Sequence, residues 1–289
     1  MDTLRLRAYA KINLTLEVLG RRPDGYHAIA SVLQTIALWD EVEFSPHPEA
    51  IIVECSIPSL AGPANVVYKT AHLLRQHTGV RRGVVIRVHK HIPVAGGLGG
   101  GSSDAATALQ GLVRLWNLSI SRERLVQLAA CLGSDVPFFL YAGTALAEGR
   151  GEHITPLPPL PQAWFVLLAP PLGDEKKTAR LYGLLRPQHW SNGSRTRALV
   201  QALHAGTPLC DALLYNTFEA VAFSAFPGLA TYWKALEEAT GRRAHLSGAG
   251  PSLYALVSTP AEAEKAVAIL REQGLRAWAV HSVGAEVNE

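Results

Sequence analysis

From Leu4 to Val18 apolar and polar residues alternate. Leu4, Leu6, Ala8, Ile12, Leu14, Leu16 and Val18 share one face, and Lys11, Asn13, Thr15 and Glu17 share the other. A period of two is that of a strand, so a half-buried strand is predicted, its polar face outward. Turn residues fill Gly20 to His27, and apolar positions resume through Val32, Leu33, Ile36, Leu38, Val42 and Phe44, which predicts more strand after a loop. Asn65 precedes the helical pattern Val66, Val67, Thr70, Ala71, Leu73 and Leu74 and suits its cap. Val84, Ile86 and Val88 alternate as a strand. After a glycine-rich turn, helical periodicity runs from Ser103 through Leu109, Leu112, Val113 and Trp116.

A further helix is predicted over Ser121 to Leu132, capped by Ser121 and stopped by Gly133. The proline run Thr155 to Pro161 reads as a boundary. Beyond it, Trp164 to Ala169 and Leu253 to Val257 read as strands, and Lys177 to Leu185 and Leu229 to Ala239 as helices. Strands and helices alternate without a regular period, which predicts an α+β chain and excludes a solenoid. Two lobes are expected, residues 1–155 and 156–289.

With 289 residues, 48% of them hydrophobic, the chain has material for a substantial core in each lobe. A formal charge of +3, with Lys and Arg scattered, leaves no footprint for nucleic acid. Cys55, Cys131 and Cys210 are odd in number and lack CxxC spacing, which argues against a disulfide framework or thiolate metal site and fits a reducing cytoplasm. The first residues lack the apolar core of a signal peptide, and no run of about 18 apolar residues occurs, so a soluble protein without membrane contact is expected.

The chemistry concentrates in Pro93-Val94-Ala95-Gly96-Gly97-Leu98-Gly99-Gly100-Gly101-Ser102-Ser103. Phosphate binding needs several backbone N–H groups converging on one anion, which side chains would obstruct; a glycine turn leading into a helix start supplies them. No Gly-Lys-Ser/Thr ends the turn, and no G-x-G-x-x-G with a later acidic partner can be laid on it, so neither the P-loop nor the dinucleotide class applies. Composition alone leaves open a tight strand-to-helix turn or a linker.

The string Gly-Leu-Gly-Gly-Gly-Ser-Ser-Asp-Ala-Ala, from Gly97 to Ala106, resembles the phosphate-binding motif of the GHMP kinases (galactokinase, homoserine, mevalonate and phosphomevalonate kinases). Its additional glycines resemble the branch acting on 4-diphosphocytidyl-2-C-methyl-D-erythritol. Ala95 stands where that branch often has glycine, which matters only where a positive φ is required. Ala10-Lys11-Ile12-Asn13-Leu14 with Arg22 to His27 resembles the amino-terminal motif of the branch, and Leu246 to Ser252 the third motif of the family. The resemblance implies a two-lobed fold, with a mixed-sheet N-terminal domain and an α/β sandwich-like C-terminal domain. It also implies ATP with Mg2+ as cofactors, and phosphorylation of the 2-hydroxyl of a small cytidine diphosphate alcohol in non-mevalonate isoprenoid synthesis, by a monomer or weak homodimer. Homoserine- or mevalonate-type activity and a non-catalytic ligand binder are the alternatives.

The same resemblance implies roles for single residues. Asp135, in Gly133-Ser134-Asp135-Val136-Pro137, becomes the candidate base, with helix capping as its other reading. Lys11 would hold that carboxylate ionised and stabilise transferring charge, and Asn13, on the same face, would bond the substrate alcohol. Residues Pro93 to Ser103 would hold the phosphates. Asn65 and Lys90 fall at adenine contacts, although a helix cap and a solvated strand end explain them equally. Tyr26 and His27, with Thr178 and Tyr182, would form the cytidine pocket, while Gly248 and Gly250 let a second turn approach the phosphates or the substrate. Magnesium is expected with ATP, yet no carboxylate pair has metal-ligand spacing.

Overall fold

The computed structural model describes residues 3–174 and 176–288, and among these it has eleven strands and nine α-helices. In chain order they are β1 (Leu4–Arg21), β2 (His27–His47), β3 (Ile51–Cys55), α1 (Val66–Thr78), β4 (Gly83–His89), α2 (Gly100–Leu115), α3 (Arg122–Leu132), α4 (Val136–Tyr141), β5 (Thr144–Gly149), β6 (His153–Pro156) and β7 (Trp164–Leu168). There follow α5 (Lys177–Leu184), α6 (Ser194–His204), β8 (Tyr215–Asn216), α7 (Ala222–Ala225), α8 (Leu229–Thr240), β9 (His245–Leu246), β10 (Leu253–Val257), α9 (Pro260–Glu272) and β11 (Ala277–His281). Residues 3–10, 38–92 and 99–141 form one compact unit; 11–37, 93–98, 142–174 and 176–288 form a second.

In the first unit, the end of β2 pairs antiparallel with β4, Val42 opposite Val88 and Phe44 opposite Ile86, and β4 pairs parallel with β3. Asn65 caps α1 by accepting from the Val67 amide at 2.8 Å, and Gly79 ends it in the left-handed conformation. Ser121 likewise caps α3, which stops at Gly133. Helix α2 packs against α1, α3 and α4, and its small residues allow close approach: a Cβ on Gly111 would lie 2.5 Å from the Phe44 ring.

In the second unit, the first half of β2 pairs antiparallel with β5, β5 with β6, and β1 parallel with β8. A separate antiparallel sheet has the order β11-β7-β10-β9. Helices α8 and α9 pack on it, and Val166, Leu168, Leu253, Ala255, Leu236, Val267 and Leu270 join one buried cluster. Removing each of the large aliphatic side chains from water contributes about 1.5–3 kcal/mol. Among the described residues no helix is long and apolar enough to cross a membrane.

Candidate active site

The odd-numbered face of β1 is not solvated. Lys11 and Asn13 are each 4% exposed, and Thr15 and Glu17 are fully buried. Buried polar groups need partners, and distant segments supply them. Lys11 Nζ donates to Asn13 Oδ1 at 2.6 Å, Asn13 Nδ2 to Ser31 Oγ at 2.8 Å, and Ser31 Oγ to the Thr15 carbonyl at 2.5 Å. Glu17 accepts from the Thr196 amide at 2.6 Å, at the start of α6. The strand expected there is present, but its polar side is lined by hydrogen-bonding protein rather than water. The second Nδ2 proton of Asn13 remains available to a ligand.

In the same unit, residues 93–98 lie against the turn between β9 and β10. Ser252 N donates to the Gly96 carbonyl at 3.0 Å, Ser247 Oγ to the Gly97 carbonyl at 3.2 Å, and Lys11 N to the Leu98 carbonyl at 2.9 Å. Two glycines make this approach possible. A Cβ on Gly97, whose φ is +85°, would stand 2.3 Å from the Ser247 carbonyl oxygen, and one on Gly248 would stand 3.1 Å from Lys11 Nζ and 3.0 Å from Asn13 Oδ1. Ala95 takes a φ of +53°, so the departure from glycine there does carry backbone strain. Lys11, Asn13, Gly97 and Gly248 are thus brought together.

Two residues that sequence reasoning missed hold this turn. Asn216 Nδ2 donates to the carbonyls of Leu246 and Gly248 at 2.8 and 2.9 Å while its Oδ1 accepts from Phe218 N, and buried Lys177 donates to the Gly250 carbonyl. No local pattern marks either, because their partners lie far along the chain.

In the first unit, α2 starts at Gly100, three residues before the position expected. Gly99 caps it at φ +73°, and Ser103 N donates to the Gly99 carbonyl at 2.8 Å. Glycine has poor helix propensity, so composition hid this first turn. The N–H groups of Gly100, Gly101 and Ser102 have no acceptor within the helix ladder and suit an anion, and a Cβ on Gly101 would meet nothing within 4 Å. The cradle therefore fits phosphates.

Lys90 is not a solvated strand end. Its Nζ is 2.5 Å from Asp40 Oδ2 and 2.6 Å from Asp104 Oδ2. Asp104 is consequently a buried partner of Lys90. Asn65, besides capping α1, donates to the Leu60 carbonyl at 2.6 Å. Asp135 is half-buried in the turn before α4.

His27 and Tyr182 stack, centroids 4.6 Å apart at 16°, and Tyr182 meets Phe218 edge-on. Burial and the Arg21 charge hold the His27 imidazole below its ordinary pKa, which favours the neutral ring. Tyr26 is 58% exposed, with the Arg150 guanidinium 4.8 Å over its face. Thr178 is exposed on the first turn of α5, one turn before Tyr182.

Residues 65–143 match the family described as GHMP kinases N terminal domain, and 198–275 match GHMP kinases C terminal. The 4-diphosphocytidyl-2-C-methyl-D-erythritol kinase of Dehalococcoides mccartyi is 42% identical over 283 residues, covering 97% of this chain and 99% of that one. The chain belongs to the GHMP kinase family. As a GHMP kinase it is an ATP-dependent small-molecule kinase of α+β fold. The enzyme of the same name from Pelotomaculum thermopropionicum is 44% identical over 269 residues, 91% of this GHMP kinase and 92% of that chain. A crystal structure of 4-(cytidine 5'-diphospho)-2C-methyl-D-erythritol kinase superposes with a TM-score of 0.83 at 34% identity, covering 97% of this chain and all of that one. A homoserine kinase from Cytophaga hutchinsonii shares the fold, with a TM-score of 0.70 at 16% identity.

Proposed function

We propose that this GHMP kinase transfers the γ-phosphoryl group of ATP to the 2-hydroxyl of 4-diphosphocytidyl-2-C-methyl-D-erythritol, a step towards isoprenoid precursors in the non-mevalonate route. One observation carries the substrate choice. Relatives of that name match the chain nearly end to end at 42–44% identity, whereas the homoserine kinase shares the fold at 16%.

Phosphoryl transfer is mostly positioning and charge neutralisation. Residues Pro93 to Ser103 would hold the phosphates, the amides of Gly100 to Ser102 pointing at them. As the hydroxyl oxygen attacks the γ-phosphorus, its proton would pass to the Asp135 carboxylate and ADP would leave. Lys11 would offset charge on the transferring group, and the second Asn13 amide proton would orient the alcohol. Tyr26, His27, Thr178 and Tyr182 would hold the cytosine, with Asn65 and Lys90 near the adenine and Gly248 and Gly250 shaping the turn beside the phosphates. Among the described residues no cluster of three acidic, His or Cys side chains could hold a metal, so a cage built by the protein does not fit. Mg2+ would arrive on the phosphates with its waters. Residues 1–155 would carry ATP binding and the base, and 156–289 would close the substrate side, in a cytoplasmic monomer or weak dimer.

The test follows ADP release by purified protein with ATP and magnesium, offered the cytidine diphosphate alcohol, homoserine and mevalonate in parallel. Release is expected with the first, and release with mevalonate alone would overturn the assignment.

A further inference from the structure

Three charged side chains are buried together in the first unit, and of these only Lys90 enters the reading above, near the adenine. Asp40 of β2, Lys90 just past β4 and Asp104 one turn into α2 have side chains 0, 6 and 5% exposed. Two carboxylates facing one ammonium carry a net negative charge unless one holds a proton, and unbalanced charge away from water is costly. The donors are divided unequally. Asp40 accepts from the His91 and Ile92 amides at 2.5 and 2.8 Å as well as from Lys90, whereas Asp104 Oδ1 is buried with no hydrogen-bond partner. Asp104 is therefore the group that holds the proton. Burial, opposed by Lys90 and reinforced by Asp40, pushes its pKa up to about 7. Lys90 and Asp40 are the charged groups that set it; of the helices packed on α2, α1 carries Lys69 and Arg75, α3 carries Arg122, Glu123 and Arg124, and α4 carries no charge.

The triad adjoins the helix start. A Cβ on Gly100 would lie 3.4 Å from Lys90 Nζ and 3.1 Å from Ile92 Cγ2. We propose that Asp40, Lys90 and Asp104 are positioning residues for the nucleotide, a clamp that is neutral with one proton and ties residues 90–92 to the first turn of α2, fixing the aim of its amides. Loss of that proton places a negative charge about one helical turn behind the phosphate cradle and weakens nucleotide binding. The proposal rests on the ATP reading above.

The experiment compares the protein with its Asp104→Asn and Asp104→Leu variants. Dissociation constants for a non-hydrolysable ATP analogue, with KM for ATP and kcat, are measured from pH 5.5 to 8.5. The ratio of wild-type to Asp104→Asn dissociation constants cancels titration of the nucleotide itself, and it should rise about 3- to 10-fold between pH 6 and 8.5. Asp104→Asn, isosteric and uncharged, should keep tight binding at high pH with kcat little changed, and Asp104→Leu should raise KM at every pH. A ratio flat in pH, or unchanged KM in Asp104→Leu, overturns the clamp. Thermal melts without nucleotide provide an independent reading. The folded carboxyl retains a proton that the unfolded chain releases above its ordinary pKa near 3.8, so wild-type stability should fall relative to Asp104→Asn as pH rises from 4 through 7. Parallel melts overturn the proton assignment. Failure of the analogue to bind at any pH sinks the ATP reading and the clamp together, whereas normal binding with a flat ratio sinks the clamp alone.

Discussion

The two ends of the glycine segment are held in different ways. Residues 93–98 are fixed by shape: Gly97 leaves 2.3 Å between a would-be Cβ and the Ser247 carbonyl oxygen, and the bonds that hold them are neutral ones to backbone carbonyls. For residues 99–103, Asp104, which follows them directly, meets Lys90 and Asp40 in a buried ionic cluster. A shape lock fails when volume is added, and a charge lock fails when charge is unbalanced. Isosteric neutral substitution of Asp104 should therefore preserve folding and alter only the pH dependence of nucleotide binding, whereas the glycine turn should lose stability to a single methyl group.

The largest expected effect is in the charged unit. Asp135→Asn should lower kcat roughly 10²- to 10⁴-fold, the usual range for a general base, with the dissociation constant for the ATP analogue nearly unchanged. Near-normal turnover would remove Asp135 from the base role. Next comes Gly97→Ala, in which a positive φ and a backbone clash combine to cost at least about 2 kcal/mol. Calorimetry should show a Tm roughly 4–8 °C lower, and an unchanged Tm would break the shape-lock account. Tyr182→Ala removes one ring of the His27 stack, and since such pairs contribute about 0.5–1.5 kcal/mol, KM for the cytidine substrate should rise roughly 2- to 12-fold with KM for ATP unaffected. The smallest effect has the opposite sign. Ala95→Gly relieves a left-handed alanine worth about 1–2 kcal/mol but adds unfolded-chain entropy of about 0.5–1 kcal/mol, so a Tm gain of roughly 1–4 °C is expected.

Elements with strong periodicity and end signals are legible in the sequence. Helix α1 with its Asn65 cap, α3 between Ser121 and Gly133, and β4, β7 and β10 fall where their patterns put them. Periodicity alone misses α9, although Thr259-Pro260 with Glu262 is a start signal: Thr259 caps it and Pro260 opens it. Burial of the polar face of β1 could not be read locally, since Thr196 lies far along the chain. The ionic cluster is hidden for the same reason, its three members coming from separate elements. The glycine turn announces an anion site, and Lys11 and Asn13 do meet the third-motif turn at Gly248.

The alternation along β1 also sets a reading frame. Lys11, Asn13, Thr15 and Glu17 stand at intervals of about 6.6 Å, each aimed by the pleat, with Ile12, Leu14 and Leu16 between them. Inserting or deleting one codon among them would turn the residues beyond it to the opposite side, exchanging a lysine, amide and carboxylate for aliphatics. A single-codon change of length should thus be far more damaging here than a conservative substitution at any one position.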